Sequence, residues 1–185
     1  MTVIDAHGRP EPPPAADEAA TLLGFLDYQR ATLEWKTRGL DSAGMATTVA
    51  ASSMTPGGLL KHMALVEDDY FTWKLLGEDP GPPLNSVDWD ADPDWEWRTA
   101  AEDTPEELYA GWEKAVRRAR ANLARALADG DAGRPTQFTW PDGRTPSIRR
   151  LLVDMIEEYA RHTGHADLLR EAIDGLVGED PPAPS

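Results

Sequence analysis

The side chains best suited to chemistry crowd one stretch, Asp154-Met-Ile-Glu-Glu158-Tyr-Ala-Arg-His162-Thr-Gly-His165. On a helix turning about 100° per residue, Glu158 and His162 stand about 40° apart. His165 falls about 20° to the other side of Glu158, so the three share one face. Glu and His at i, i+4 can offer ligand atoms to one cation from adjacent turns. His62, in Leu60-Lys-His62-Met-Ala64, is the only histidine on another predicted helix, and His7 lies in a Pro-rich N-terminal segment. The chain has no cysteine, so a metal would have to be held by His, Asp or Glu. The same absence removes disulfides, Fe–S clusters and a protein thiol nucleophile.

Spacing alone leaves ordinary readings open. A histidine on an apolar helix is commonly a hydrogen-bonded core residue. A Glu158–His162 pair on a surface is worth a few tenths of a kcal/mol. Among nearby acids, Glu67, Asp68, Asp69 and Glu157 read as solvated. Asp69, seven residues after His62 and on its face, is the reserve ligand. Two metal architectures are excluded. A di-iron bundle needs paired Glu-x-x-His motifs, and a zincin needs His-Glu-x-x-His; neither occurs.

Four helices are predicted to carry these residues. The first covers about residues 15–38, with Leu22, Leu23, Phe25, Leu26, Leu33 and Trp35 as its apolar stripe. The second covers about 56–76, opened by Thr55-Pro56, a hydroxyl N-cap with proline at the first helical position. The third covers about 105–128 and begins with the capping box Thr104-Pro-Glu-Glu107; its Arg117, Arg118, Arg120 and Arg125 read as a solvated face. The fourth covers about 146–176, opened by Thr145-Pro146. Gly164 inside it suggests close packing or a site reason, because glycine costs about 1 kcal/mol in a helix. Residues 77–103 are rich in Gly and Pro and are read as non-helical. They also hold Trp89, Trp95 and Trp97, which are costly to leave in water, so this loop is expected to fold over the bundle. A tight turn is expected at Pro141-Asp142-Gly143, beside Trp140.

The result is an all-α domain, a four-helix bundle with long crossover loops, over residues 15–178. Residues 1–14 and 179–185 are read as disordered tails, and His7 as solvated and without function. With 18 Lys plus Arg against 33 Asp plus Glu, the formal charge of −15 disfavours nucleic acid and anionic membranes as partners. No run is long enough to span a membrane. The N-terminus lacks the basic and apolar regions of a signal peptide, so the expected location is cytoplasmic.

At Thr55-Pro-Gly-Gly-Leu-Leu-Lys-His62 with Val66-Glu67, and from Met155 to Gly175, the chain resembles the DinB superfamily of four-helix-bundle metalloproteins. Its closest likeness is to the DUF664, or mini-circle, branch, over about residues 20–176. The resemblance implies a metal held by His62, Glu158 and His162. Glu at the middle position is similar to the metal-binding domain of mycothiol-dependent maleylpyruvate isomerase. The likeness does not extend to that enzyme's additional C-terminal domain, so its particular reaction is not implied. Asp154 departs from the branch pattern, which often has His there. His165, one turn beyond the ligand set, is expected to face substrate or support a ligand and to act in catalysis, with it or a water moving protons.

Two imidazoles and one carboxylate leave a divalent metal at least one open position, the mark of a catalytic site. Zn²⁺ suits this set best, with Ni²⁺ and Fe²⁺ as alternatives. The expected function is a metal-dependent transferase that joins a low-molecular-weight thiol of the mycothiol type to an electrophile. Trp89, Trp95, Trp97 and Trp140 would be either walls for that electrophile or core covering. Two other functions are carried alongside: a metal-stabilised stress-response or binding module without turnover, and a metal-dependent hydrolase. Homodimerisation is compatible with a bundle of this size.

Overall fold

The computed structural model describes residues 3–181; residues 1–2 and 182–185, the outer ends of the two expected tails, lie outside the described residues. The fold is all-α apart from one two-stranded hairpin. Helix α1 (Glu18–Thr37) lies along the last long helix, α6 (Ile148–Asp174), and α3 (Pro56–Asp68) lies along α5 (Pro105–Ala126). Short helices α2 (Ser42–Met45) and α4 (Trp95–Thr99) sit in the connections.

Local chemistry accounts for most helix starts. Asp17 caps α1 by accepting from the Ala20 N–H. Thr55 accepts from the Gly58 N–H with Pro56 at the first position, and Thr104 and Glu107 form the capping box of α5. The α6 start differs from expectation. Ser147, not Thr145, is the cap. Residues Thr145 and Pro146 are extended instead, because the Thr136 N–H donates to the Pro146 carbonyl beside a Pro135–Ser147 bridge. Gly175, in the left-handed region at φ 77°, ends α6.

Helix α3 does not run on as plain α-helix to residue 76. From Asp69 to Lys74 it widens into a π-helical turn. That turn carries Phe71 into the core and sets Asp69 against Lys74, whose Nζ is 2.6 Å away. The core lies between the helix pairs, built on Leu26, Leu33, Leu59, Leu60, Met63 and Leu152, each wholly buried. Through it runs a buried polar chain. Arg30 grips both oxygens of Glu67 at 2.7 and 2.6 Å, Tyr159 donates to Glu67 at 2.7 Å, and Trp112 donates to Tyr159 at 3.0 Å. This chain ties α1, α3, α5 and α6 together. Glu67 therefore lies in the core rather than in solvent.

The N-terminal segment also departs from expectation. Val3–Ile4 (β1) pairs antiparallel with Pro10–Glu11 (β2). Arg9, 4% exposed, donates to Thr32 and to the Glu179 carbonyl and pairs with Asp180. Local patterning could not show this, because the partners of Arg9 come from the opposite end of the chain. His7 stands near Asp180, at 3.8 Å, and far in sequence from the helical histidines.

Residues 77–94 are irregular as expected, but helix resumes at Trp95. Its proline-free run Trp95-Glu-Trp-Arg-Thr99 forms α4, and Ala100–Glu102 adds a 3₁₀ turn. Gly164 has no packing reason, since a Cβ there would meet nothing within 4 Å. The α5 arginines are mostly exposed, though Arg118 reaches Asp68 at 2.7 Å and Arg120 reaches Asp27 at 2.9 Å.

Candidate metal centre

The pairing of α3 with α6 brings three ligand atoms to one point. His62 Nε2 lies 3.2 Å from Glu158 Oε1, and His162 Nε2 lies 3.2 Å from the same oxygen. All three atoms fall within 4.8 Å of one another. Ligands bound at about 2.0–2.1 Å around a tetrahedral ion stand about 3.3 Å apart. The two short separations therefore match tetrahedral edges, and the donor set of two imidazoles and a carboxylate fits a divalent cation. His162 is 8% exposed, whereas His62 and Glu158 are half-buried, which leaves the cluster open on one side.

Each imidazole has a second partner. His62 Nδ1 lies 3.0 Å from Glu96 Oε1, and its ring stacks on Trp97 with centroids 5.0 Å apart. His162 Nδ1 lies 3.3 Å from Nδ1 of His165. His165 thus supports His162 and stands one step back from the three-atom cluster. Glu96 was not legible from spacing. Its only sequence signal is a carboxylate held between two tryptophans, in a loop that must cover the bundle.

The electrostatics follow from this geometry. Burial works against charge on His62, but its hydrogen bonds with Glu158 and Glu96 prevail and lift its pKa to about 9. Hydrogen bonds with His162 and then His62 hold the Glu158 carboxyl well below its ordinary range. Burial, then the neighbouring His162 and Arg161, pushes His165 down, which favours its neutral form.

The other candidate acids lie outside the cluster. Asp69 is engaged by Lys74, Asp154 by Arg150 at 2.6 Å, Glu157 by Arg161 at 3.3 Å and Asp68 by Arg118. Beside His62 and Glu96 is a cavity of about 230 Å³, also lined by Val66, Asp69, Leu84 and Trp89. It shares Asp69, Leu84 and Trp89 with a larger hollow of about 590 Å³ that runs toward Trp73 and Pro80. Of the tryptophans expected as walls, Trp89 lines both hollows and Trp97 covers His62. Trp95 lies over the Lys61 ammonium at 4.5 Å. Trp140 stands apart, edge-on to Phe138 in the 130–145 connection.

A search among curated proteins finds no match to this chain. The family model described as mycothiol-S-transferase (MST) matches residues 21–175. The matched span takes in α3, α5 and α6 whole, α1 from Thr21 onward, and every residue of the cluster. The chain therefore belongs to the mycothiol-S-transferase family, a DinB-like family.

Proposed function

We propose that this protein transfers a mycothiol-type thiol to an electrophilic carbon, using a divalent metal held by His62, Glu158 and His162. The observation that carries the reading is the meeting of three ligand atoms within 4.8 Å inside the matched family span. Bound there, a divalent cation would supply the Lewis acidity that keeps a low-molecular-weight thiol deprotonated at neutral pH. Zn²⁺ suits the ligand set best.

The chain's own residues do the rest. Trp97 closes one face of the His62 ring. The cavity walls Val66, Leu84 and Trp89 give an apolar electrophile a place beside the open side of the cluster. His165 accepts at Nδ1 a hydrogen bond from His162 Nδ1–H, which leaves His162 Nε2 free as a ligand atom, and the proton the thiol gives up passes to water on the open side. The narrower placement in the DUF664 branch rests on the Thr55–His62 and Met155–Gly175 motifs.

The test is metal analysis of protein purified without a histidine tag, followed by conjugation assays with mycothiol and a generic electrophile. One bound divalent metal per chain and metal-dependent conjugation are expected, with His62→Ala losing at least about 100-fold in metal affinity and with it the activity. Failure to bind a divalent metal at micromolar affinity, or full activity in His62→Ala, overturns the reading. Thiol-independent cleavage would mark a hydrolase instead. Metal binding without turnover would mark a binding module.

A further inference from the structure

The metal reading explains His62, Glu158 and His162 and leaves Glu96 without a role. Glu96 belongs to α4, in the connection between the long helices α3 and α5. It is 7% exposed. Its side chain has one hydrogen-bond partner among the described residues, Nδ1 of His62 at 3.0 Å, and its Oε2 is buried with none. Burying a carboxylate is unfavourable by several kcal/mol unless its partners compensate. A single bond does not do so for the fold, and an apolar side chain would seal this turn better. The carboxylate therefore needs a reason in the site.

Geometry supplies one. The two nitrogens of His62 face different ways: Nδ1 toward Glu96 and Nε2 toward Glu158 Oε1, the oxygen that His162 Nε2 also approaches. An acceptor at Nδ1 keeps the ring proton on that atom and leaves the Nε2 lone pair for a cation. The Trp97 stack, with planes 25° apart, holds the ring against rotation. Gly58 lets Trp97 come this close, since a Cβ at that position would lie 2.6 Å from the indole. The corresponding partner of His162 is another imidazole, His165, at 3.3 Å, so only the His62 arm has a carboxylate behind it.

Resting on the metal reading, we infer that Glu96 is a positioning residue for His62, fixing the tautomer and orientation of the ring and strengthening Nε2 as a donor to a divalent cation. The loop helix α4 is then part of the metal site. It supplies the carboxylate behind one ligand and the indole that covers it.

The experiment measures Zn²⁺ affinity of the full-length, metal-stripped protein by competition with a chromogenic chelator at pH 7.5. Wild type is compared with Glu96→Ala, Glu96→Gln and Thr99→Val, with thermal melts of each metal-free protein. Thr99→Val removes the hydroxyl bond to the Trp95 carbonyl, 2.7 Å, and so loosens α4 without touching His62. Glu96→Ala is expected to bind Zn²⁺ roughly 10- to 100-fold more weakly. Glu96→Gln, which keeps an acceptor at Nδ1 but not the charge, should fall in between. Thr99→Val should bind within threefold of wild type even where its melt is lowered. Equal affinity in wild type and Glu96→Ala overturns the inference while leaving the metal reading intact. So does a Thr99→Val loss as large as that of Glu96→Ala, since the role would then be structural. If Glu96→Ala does not fold, unchanged affinity in Glu96→Gln overturns it. A wild type that binds no Zn²⁺ or other divalent metal overturns both readings.

Discussion

His62 sits between two carboxylates, and its proton balance follows from that. Its folded pKa of about 9 lies above the ordinary value of 6.5, against the effect of burial and because of Glu158 and Glu96. A raised imidazole pKa adds stability that is complete below pH 6.5 and lost as pH climbs to about 9. Denaturant unfolding of the metal-free protein should therefore show stability falling from pH 6.5 to 9, a slope that His62→Gln flattens. No such slope, or an unchanged slope in the variant, would contradict the carboxylate contacts. Asp68 acts in a separate window. Burial lifts its carboxyl from 3.8 to about 6, so the folded state holds this proton more tightly and stability declines as pH rises through that range. A divalent cation must displace the His62 proton to bind, so metal affinity should rise with pH up to about 9.

At the scale of elements, two helical glycines give opposite expectations for the same substitution. Gly164 is exposed on α6 with open space around a Cβ. Gly164→Ala should stabilise the protein by about 1 kcal/mol through helix propensity alone. Gly58 on α3 faces the Trp97 ring, and a Cβ would lie 2.6 Å from it. There the propensity gain is outweighed by overpacking of about 1–3 kcal/mol, and the indole must leave its stack on His62. Thermal melts should move in opposite directions for the two variants. A stabilised Gly58→Ala would show that α4 yields readily and does not hold His62. The π-helical turn is a second element-scale feature with a consequence for the site. It sets Asp69 on Lys74 and out of the ligand cluster, even though Asp69 shares the His62 face on an ideal helix.

Across the whole molecule, the proposed ligands bridge α3 and α6, and the Arg30–Glu67–Tyr159 chain bridges the same two helices from within the core. Tyr159 neighbours Glu158 in sequence, so the buried chain sets the depth at which the ligand face of α6 meets α3. Because the cluster needs both helices, a bound cation stabilises the folded state and not the unfolded one. At 100 times the dissociation constant that linkage amounts to about 2.7 kcal/mol. For a domain of this size it corresponds to a rise in Tm of roughly 5–10 °C. Scanning calorimetry with and without Zn²⁺, reversed by a chelator, checks it, and an unmoved Tm at saturating metal would argue against the bridging site. No helix among the described residues is long and apolar enough to cross a membrane.

Local chemistry determined the features written in neighbouring residues. The Thr55-Pro56 start, the Thr104 capping box and the single face shared by Glu158, His162 and His165 follow from caps and a 3.6-residue period. Both are short-range and need no knowledge of the rest of the chain. The all-α class follows from the same periodicity. Tertiary structure alone decided which distant residues meet. Glu96 approaches His62 across the turns of the 77–103 connection, and Arg9 finds Asp180 across nearly the whole chain. Arg30 finds Glu67 inside the core. Even the choice of Ser147 over Thr145 as a cap was settled by a backbone bridge to Pro135. These contacts depend on how helices pack and where connections cross, and their energies are realised only after the chain has closed over itself.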